Sequence, residues 1–132
     1  VPLPAADRIR LPFITQRPSD GGCGLYVLQM LTGKPFEDLA AMVDWRDKGS
    51  LHMAWAEMTK VLADLGLPHD GPHAVNTWDD VEGLGIVHVA DDHFMLYDAA
   101  NQVFYDPWEW TGPSTQSTRL PFSYVQVVPP NS

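Results

Sequence analysis

The chain holds one cysteine in 132 residues. That excludes an internal disulfide and leaves the fold to stand on its apolar core. Basic side chains are also scarce: eight Lys and Arg stand against 17 Asp and Glu, a net charge of −9. No Lys/Arg cluster relieves this deficit, so a phosphate backbone would be repelled and nucleic acid is excluded as a partner. A cationic peptide or protein suits the same charge. No apolar run approaches the roughly 18 residues of a membrane span, so no spanning helix is expected. Repeats, low-complexity tracts and a signal peptide are absent too, and the chain starts at Val1 without a methionine. It is expected to be a domain trimmed from a longer protein, whose compartment the residues do not state.

What is present suits a single domain over residues 1–132, with about two-thirds of the unfolded surface buried. Hydrophobic residues at 45% against 19% charged mark it as globular rather than disordered. Residues 1–18, rich in proline, read as an extended lead-in with a short strand at 11–15. From Cys23 to Leu31 the residues are apolar nearly all round and Gly33 follows as a stop, which predicts a helix buried in mid-domain. A second helix should start at Pro35, with Glu37 and Asp38 near its positive end and Phe36, Leu39, Ala40 and Val43 on its apolar face. A third, capped by Ser50, should carry Leu51, Trp55, Met58, Leu62 and Leu65 on one stripe and stop at Gly66.

Beyond residue 67 the period changes. "HDGPHAVNTWDDVEG" reads as loop with at most a turn of helix. Four runs rich in β-formers follow, at 85–89, 93–98, 102–106 and 122–128, with a Trp-, Gly- and Ser/Thr-rich loop at 107–121. Helices first and an antiparallel sheet second make an α+β layout.

Within the hairpin at 93–106, a loop centred between Ala99 and Ala100 would pair Tyr97 with Gln102 and Met95 with Phe104. The same register sets His93 directly opposite Asp106, on one face and with Cβ atoms about 5 Å apart. A carboxylate beside an imidazole fixes its tautomer and steadies the imidazolium, and the imidazole can take a thiol's proton. Cys23, at the mouth of a predicted helix, has its thiolate favoured by unpaired N–H groups. Gly21, Gly22 and Gly24 around it would let the backbone turn sharply and a substrate come close. A cysteine buried as a small hydrophobe is the alternative. Were Asp106 the orienting carboxylate, Asp106→Asn would lower turnover, whereas Asp98, at the hairpin's end, is expected to tolerate the same change.

"QRPSDGGCGLYVLQMLTG" followed by "HFMLYDAANQVFYDP" resembles the papain-fold cysteine peptidases. It looks closest to the small bacterial group that includes the double-glycine leader (bacteriocin-processing) peptidases. The shared pattern is a glutamine ahead of a Cys-Gly that opens the central helix, then His-apolar-apolar on a strand, then Asp-Pro ending the next. The resemblance implies a papain-like fold, with a central N-terminal helix packed on a C-terminal antiparallel sheet. It implies Cys23 as nucleophile, His93 as general base and then acid, and Asp106 as orienting carboxylate. Gln16 would supply the oxyanion-hole side chain beside the Cys23 N–H. No cofactor or metal is implied, and the substrate would be a peptide or protein. The sequence departs from the family in two places: Gly22 stands where an Asp usually precedes the cysteine, and Gln16 lies seven residues before Cys23, one more than usual.

Trp108 and Trp110 follow Asp106 closely and suit either core packing or a hydrophobic wall of the substrate cleft. With the backbone at Gly22, Trp108 is taken as a substrate contact. His69, Asp70 and His73 have spacing that can bind zinc, yet the intervening Gly-Pro makes a plain loop the better reading. His88, between Val87 and Val89, reads as one face of a strand. Two other functions fit the same residues: the triad could serve protein deamidation, transglutamination or cell-wall amide cleavage in a bacterial effector, or the domain could be a catalytically silent binding module, which Gly22 favours.

Overall fold

A computed structural model describes residues 23–43, 53–90, 93–107 and 113–128. The expected lead-in at 1–18, Ser50, Leu51 and the candidate residues Gln16, Gly22 and Trp108 lie outside them. The described elements are α1 (Cys23–Thr32), α2 (Phe36–Ala40), α3 (Trp55–Asp64), β1 (His69–Ala74), a 3-10 turn (Trp78–Asp80), β2 (Leu84–Val89), β3 (His93–Asp98), β4 (Val103–Tyr105) and β5 (Pro121–Val127). The strands form one five-stranded sheet in the order β1-β5-β2-β3-β4, with every neighbouring pair antiparallel. Helices gathered on such a sheet are the expected α+β arrangement. No helix among the described residues is long and apolar enough to cross a membrane.

The helices start and stop for local reasons. α1 is apolar all round because it is enclosed: Cys23 through Leu28, with Met30 and Leu31, are all buried. Gly33, at φ +74°, ends it, and its N–H bonds to Gln29 O at 2.9 Å. Gly24 serves packing rather than a turn or a substrate's approach. A Cβ placed there would lie 2.9 Å from Met53 Sδ and 3.2 Å from Met58 Cε. In α2, Pro35 is the residue before the first turn, and Leu39 is the fully enclosed side chain. α3 begins later than its stripe suggests. Its cap is Ala54, whose N–H donates to Glu57 Oε1 at 2.7 Å. Its far end closes at Gly66, φ +70°.

Both faces of the sheet are covered, and this explains why β2 and β3 read as continuous apolar runs rather than alternating ones. Toward the helices, Leu84, Ile86, Phe94, Leu96, Tyr105 and Val125 join the buried faces of α1 and α3. On the other side Val87, Val89, Met95, Tyr97, Phe104 and Tyr124 form a second cluster, roofed by Val75, Val81 and Trp78. Burial, aided by Asp79 and Asp98, pushes the Tyr97 phenol above its ordinary range.

The stretch expected to be loop contains β1, an exposed edge strand along β5 whose register shifts between Asp70 and His73. Its polar, Gly-Pro-containing sequence carries no strand periodicity because it pairs on one side and buries little. His69 and His73 do not converge there. His69 Nδ1 meets Leu67 O at 2.9 Å, and His73 Nε2 meets Asp70 at 2.9 Å on the surface.

The β3–β4 turn also differs from expectation. It takes Ala99–Gln102, with Gln102 at φ 57°, and pairs Asp98 with Val103, Tyr97 with Phe104 and Leu96 with Tyr105. Its centre lies one residue later than the sequence suggested, so the register moves by two. Asp98 is the cause: it is 1% exposed and its carboxylate accepts from Asn101 N at 3.4 Å and Asn101 Nδ2 at 2.8 Å. Asp98 is therefore a buried turn residue.

Candidate active site

Cys23 is the first residue of α1, where backbone N–H groups lack helical acceptors. The side chain is buried, and Sγ accepts a hydrogen bond from Phe94 N at 3.4 Å. The sulfur thus sits against the first peptides of β3, and the residue just before Phe94 is His93. α1 is held there by its own apolar surface, with Leu25 and Leu28 in the same cluster as Phe94 and Leu96.

His93 opens β3 and Asp106 follows β4, and both are buried. Nε2 of His93 lies 2.6 Å from Asp106 Oδ1. They are not directly opposed as the sequence register had them. Continued past Tyr105, the observed ladder sets Asp106 across from Met95, one diagonal step from His93. A shift of two keeps side chains on the same face, and diagonal neighbours about 7–8 Å apart remain within reach of a long side chain. The pair survives the register change because an imidazole spans the diagonal.

The carboxylate has a second partner that the sequence did not suggest. Arg119 Nε donates to Asp106 Oδ2, so the two oxygens of one buried group face two different donors. Burying a carboxylate is costly unless it is paired and hydrogen-bonded, and here it is both. The one available signal was that Arg119 is the sole basic residue in an otherwise neutral run, "PSTQSTRL".

Because Asp106 engages Nε2, Nδ1 is the His93 nitrogen left for chemistry at a neighbouring group. A thiol at a helix mouth, an imidazole oriented by a carboxylate and a fixed cation behind it can together support nucleophilic acyl transfer. Among the described residues, no group of three or more His, Cys, Asp or Glu is placed to hold a metal ion.

No protein-family model matches the sequence, and none of the curated proteins matches it. Among solved structures the fold is similar to that of a double glycine motif protease from an AMS/PCAT transporter, in complex with its leader peptide. The match covers 91% of this chain and 92% of that one, at a TM-score of 0.67 and 19% sequence identity. The chain thus has the α+β fold of that double glycine motif protease, the group that the motifs around Cys23, His93 and Asp106 resemble.

Proposed function

We propose that the protein is a papain-like cysteine hydrolase that cleaves a peptide bond through a thioester. The observation that carries this reading is the buried His93–Asp106 pair at 2.6 Å, next in the chain to the Phe94 amide that meets Cys23 Sγ. In this reading Cys23 attacks the scissile carbonyl as thiolate, its proton having passed to His93 Nδ1. The helix mouth and the Phe94 N–H favour negative charge on sulfur. The carbonyl oxygen, now an oxyanion, is received by the Cys23 backbone N–H and by the side chain of Gln16. His93 then gives its proton to the departing amine, leaving a thioester on Cys23. Water, deprotonated by the same nitrogen, releases the acid product and restores the thiol. Asp106 holds the imidazole in the tautomer that keeps Nδ1 open and balances the imidazolium. Gly22 and Trp108 line the approach of the peptide.

Two considerations support a peptide substrate. The solved protease of the same fold is in complex with a leader peptide, and a net charge of −9 favours cationic chains. The decisive experiment is labelling with a peptide-like electrophile, followed by identification of the modified residue and a cleavage assay on a peptide library. Modification of Cys23 together with peptide cleavage, both lost in Cys23→Ala, is expected. Ammonia release from glutamine without chain cleavage would reassign the enzyme as a deamidase. Absence of labelling in folded protein would favour a silent binding module.

A further inference from the structure

Arg119 belongs to no element, yet it is held at both ends of its own peptide unit. Its N–H bonds to Ser117 Oγ at 3.2 Å, and its carbonyl accepts from the Trp78 indole at 3.0 Å. The next residue is anchored as well, with Ala90 N donating to Leu120 O at 2.9 Å. At the other end of the 113–120 strap, Ser114 exchanges both backbone hydrogen bonds with Phe104, at 2.7 and 3.0 Å. Trp78 itself is edge-packed on Tyr97 and Phe104, rings that are stacked on each other. The strap is therefore tied to β4 and to the aromatic layer on the sheet face away from the helices. It delivers its one basic side chain to the carboxylate that follows β4.

We infer that Arg119 is a positioning residue: by holding Oδ2 of Asp106 it fixes the carboxylate so that Oδ1 meets His93 Nε2. This rests on the hydrolase reading above for its catalytic meaning, but its structural content does not. The argument is one of geometry. A carboxylate on one rotatable arm can turn either oxygen, or neither, toward an imidazole. A donor at Oδ2, carried on a backbone that the Trp78 and Ser117 contacts anchor, removes that freedom. Guanidinium suits the task because it is always charged and donates in a fixed plane. With a side chain 19% exposed, the cation lies behind the pair at modest access to water. It acts through Asp106.

The test compares the wild type with Arg119→Met, Arg119→Lys, Asp106→Asn and the Arg119→Met/Asp106→Asn double variant. Turnover is read on a cleaved peptide, and the His93 imidazole is read by ¹⁵N–¹H NMR without substrate. Arg119→Met should lower kcat about 10–100-fold, by analogy with the outer-shell partners that orient metal ligands, with KM unchanged. It should also weaken or abolish the hydrogen-bonded Nε2–H resonance. Lysine should recover part of both, and the loss should largely vanish in the Asp106→Asn background, where the carboxylate is already gone. Wild-type kcat and imidazole spectrum in folded Arg119→Met would overturn the inference. A KM effect alone, or an equal loss with and without Asp106, would also overturn it. Should Arg119→Met fail to fold, Arg119→Lys decides by the same two readouts: reduced kcat with a weakened resonance supports the role, and wild-type values refute it. If the wild type cleaves no peptide, the hydrolase reading fails, yet the imidazole spectrum still decides what Arg119 does.

Discussion

Replacing Asp106 by asparagine changes one atom's chemistry and little volume, and on the hydrolase reading proposed above a definite loss of turnover follows. Arg119 Nε faces the carboxylate at Oδ2, and His93 Nε2 faces it at Oδ1. Asparagine offers one acceptor and one donating NH₂. Arg119 cannot give up its protons, so it keeps the amide oxygen, and the NH₂ is turned toward His93. The imidazole avoids a donor–donor clash by moving its proton to Nδ1, and in that tautomer it cannot take a proton from Cys23. Positioned proton transfer is worth about 10²–10⁴-fold, and loss of the analogous carboxylate from a serine triad costs about 10⁴. At 1.36 kcal/mol per decade the barrier rises by about 3–5 kcal/mol. The assay is single-turnover peptide cleavage over a pH series, with circular dichroism to establish that the fold is kept and ¹⁵N shifts to read the tautomer. A folded Asp106→Asn protein within threefold of wild-type turnover would refute the reasoning. So would an imidazole still protonated at Nε2.

Three further outcomes are expected. Leu62, fully buried in α3, should cost about 2–5 kcal/mol on Leu62→Ala by leaving a cavity; an unfolding free energy from denaturant titration lowered by less than about 0.5 kcal/mol would mean the site collapses around the loss. Asp98→Asn puts a donor where Asn101 already donates, in a buried turn, and should cost about 1–3 kcal/mol, readable in a thermal melt; an unchanged Tm would show that the turn re-forms without the carboxylate. Asp80 is held below its ordinary carboxylate range by the N–H groups of Asn76 and then Thr77. A depressed folded value contributes stability that is present above the unfolded value of 3.8 and lost as pH falls through the folded one. Wild type should accordingly melt above Asp80→Asn at pH 6 and converge with it in acid, and a gap that persists in acid would contradict this assignment.

Elements that bury apolar surface could be read from their residues alone. The helix from Cys23 and the runs of β2 and β3 are apolar nearly throughout because they are enclosed on all sides, and the stripe of Met58 and Leu62 recurs at helical spacing because one face is buried. The His93–Asp106 pair was legible for a subtler reason. The side-chain period of a strand is two, so a turn centred one residue later moves the register by two and leaves both groups on one face. Parity survived an error in register.

What tertiary structure alone decided lies where local pattern carries no signal. β1 buries almost nothing and exists because β5 offers it an edge. The β3–β4 turn is placed by a buried carboxylate bonded to Asn101, a side-chain contact that propensity does not weigh. The covering of the sheet face away from the helices depends on Trp78 packing edge-on against Tyr97 and Phe104. Arg119 reaches Asp106 across 13 residues of chain, and nothing in a sequence of polar loop residues says which carboxylate its cation will meet. The residue types at Cys23, His93 and Asp106 state what chemistry is affordable. Which oxygen faces which nitrogen is set by backbone contacts distant in sequence, since only the closed fold brings those donors within hydrogen-bonding distance.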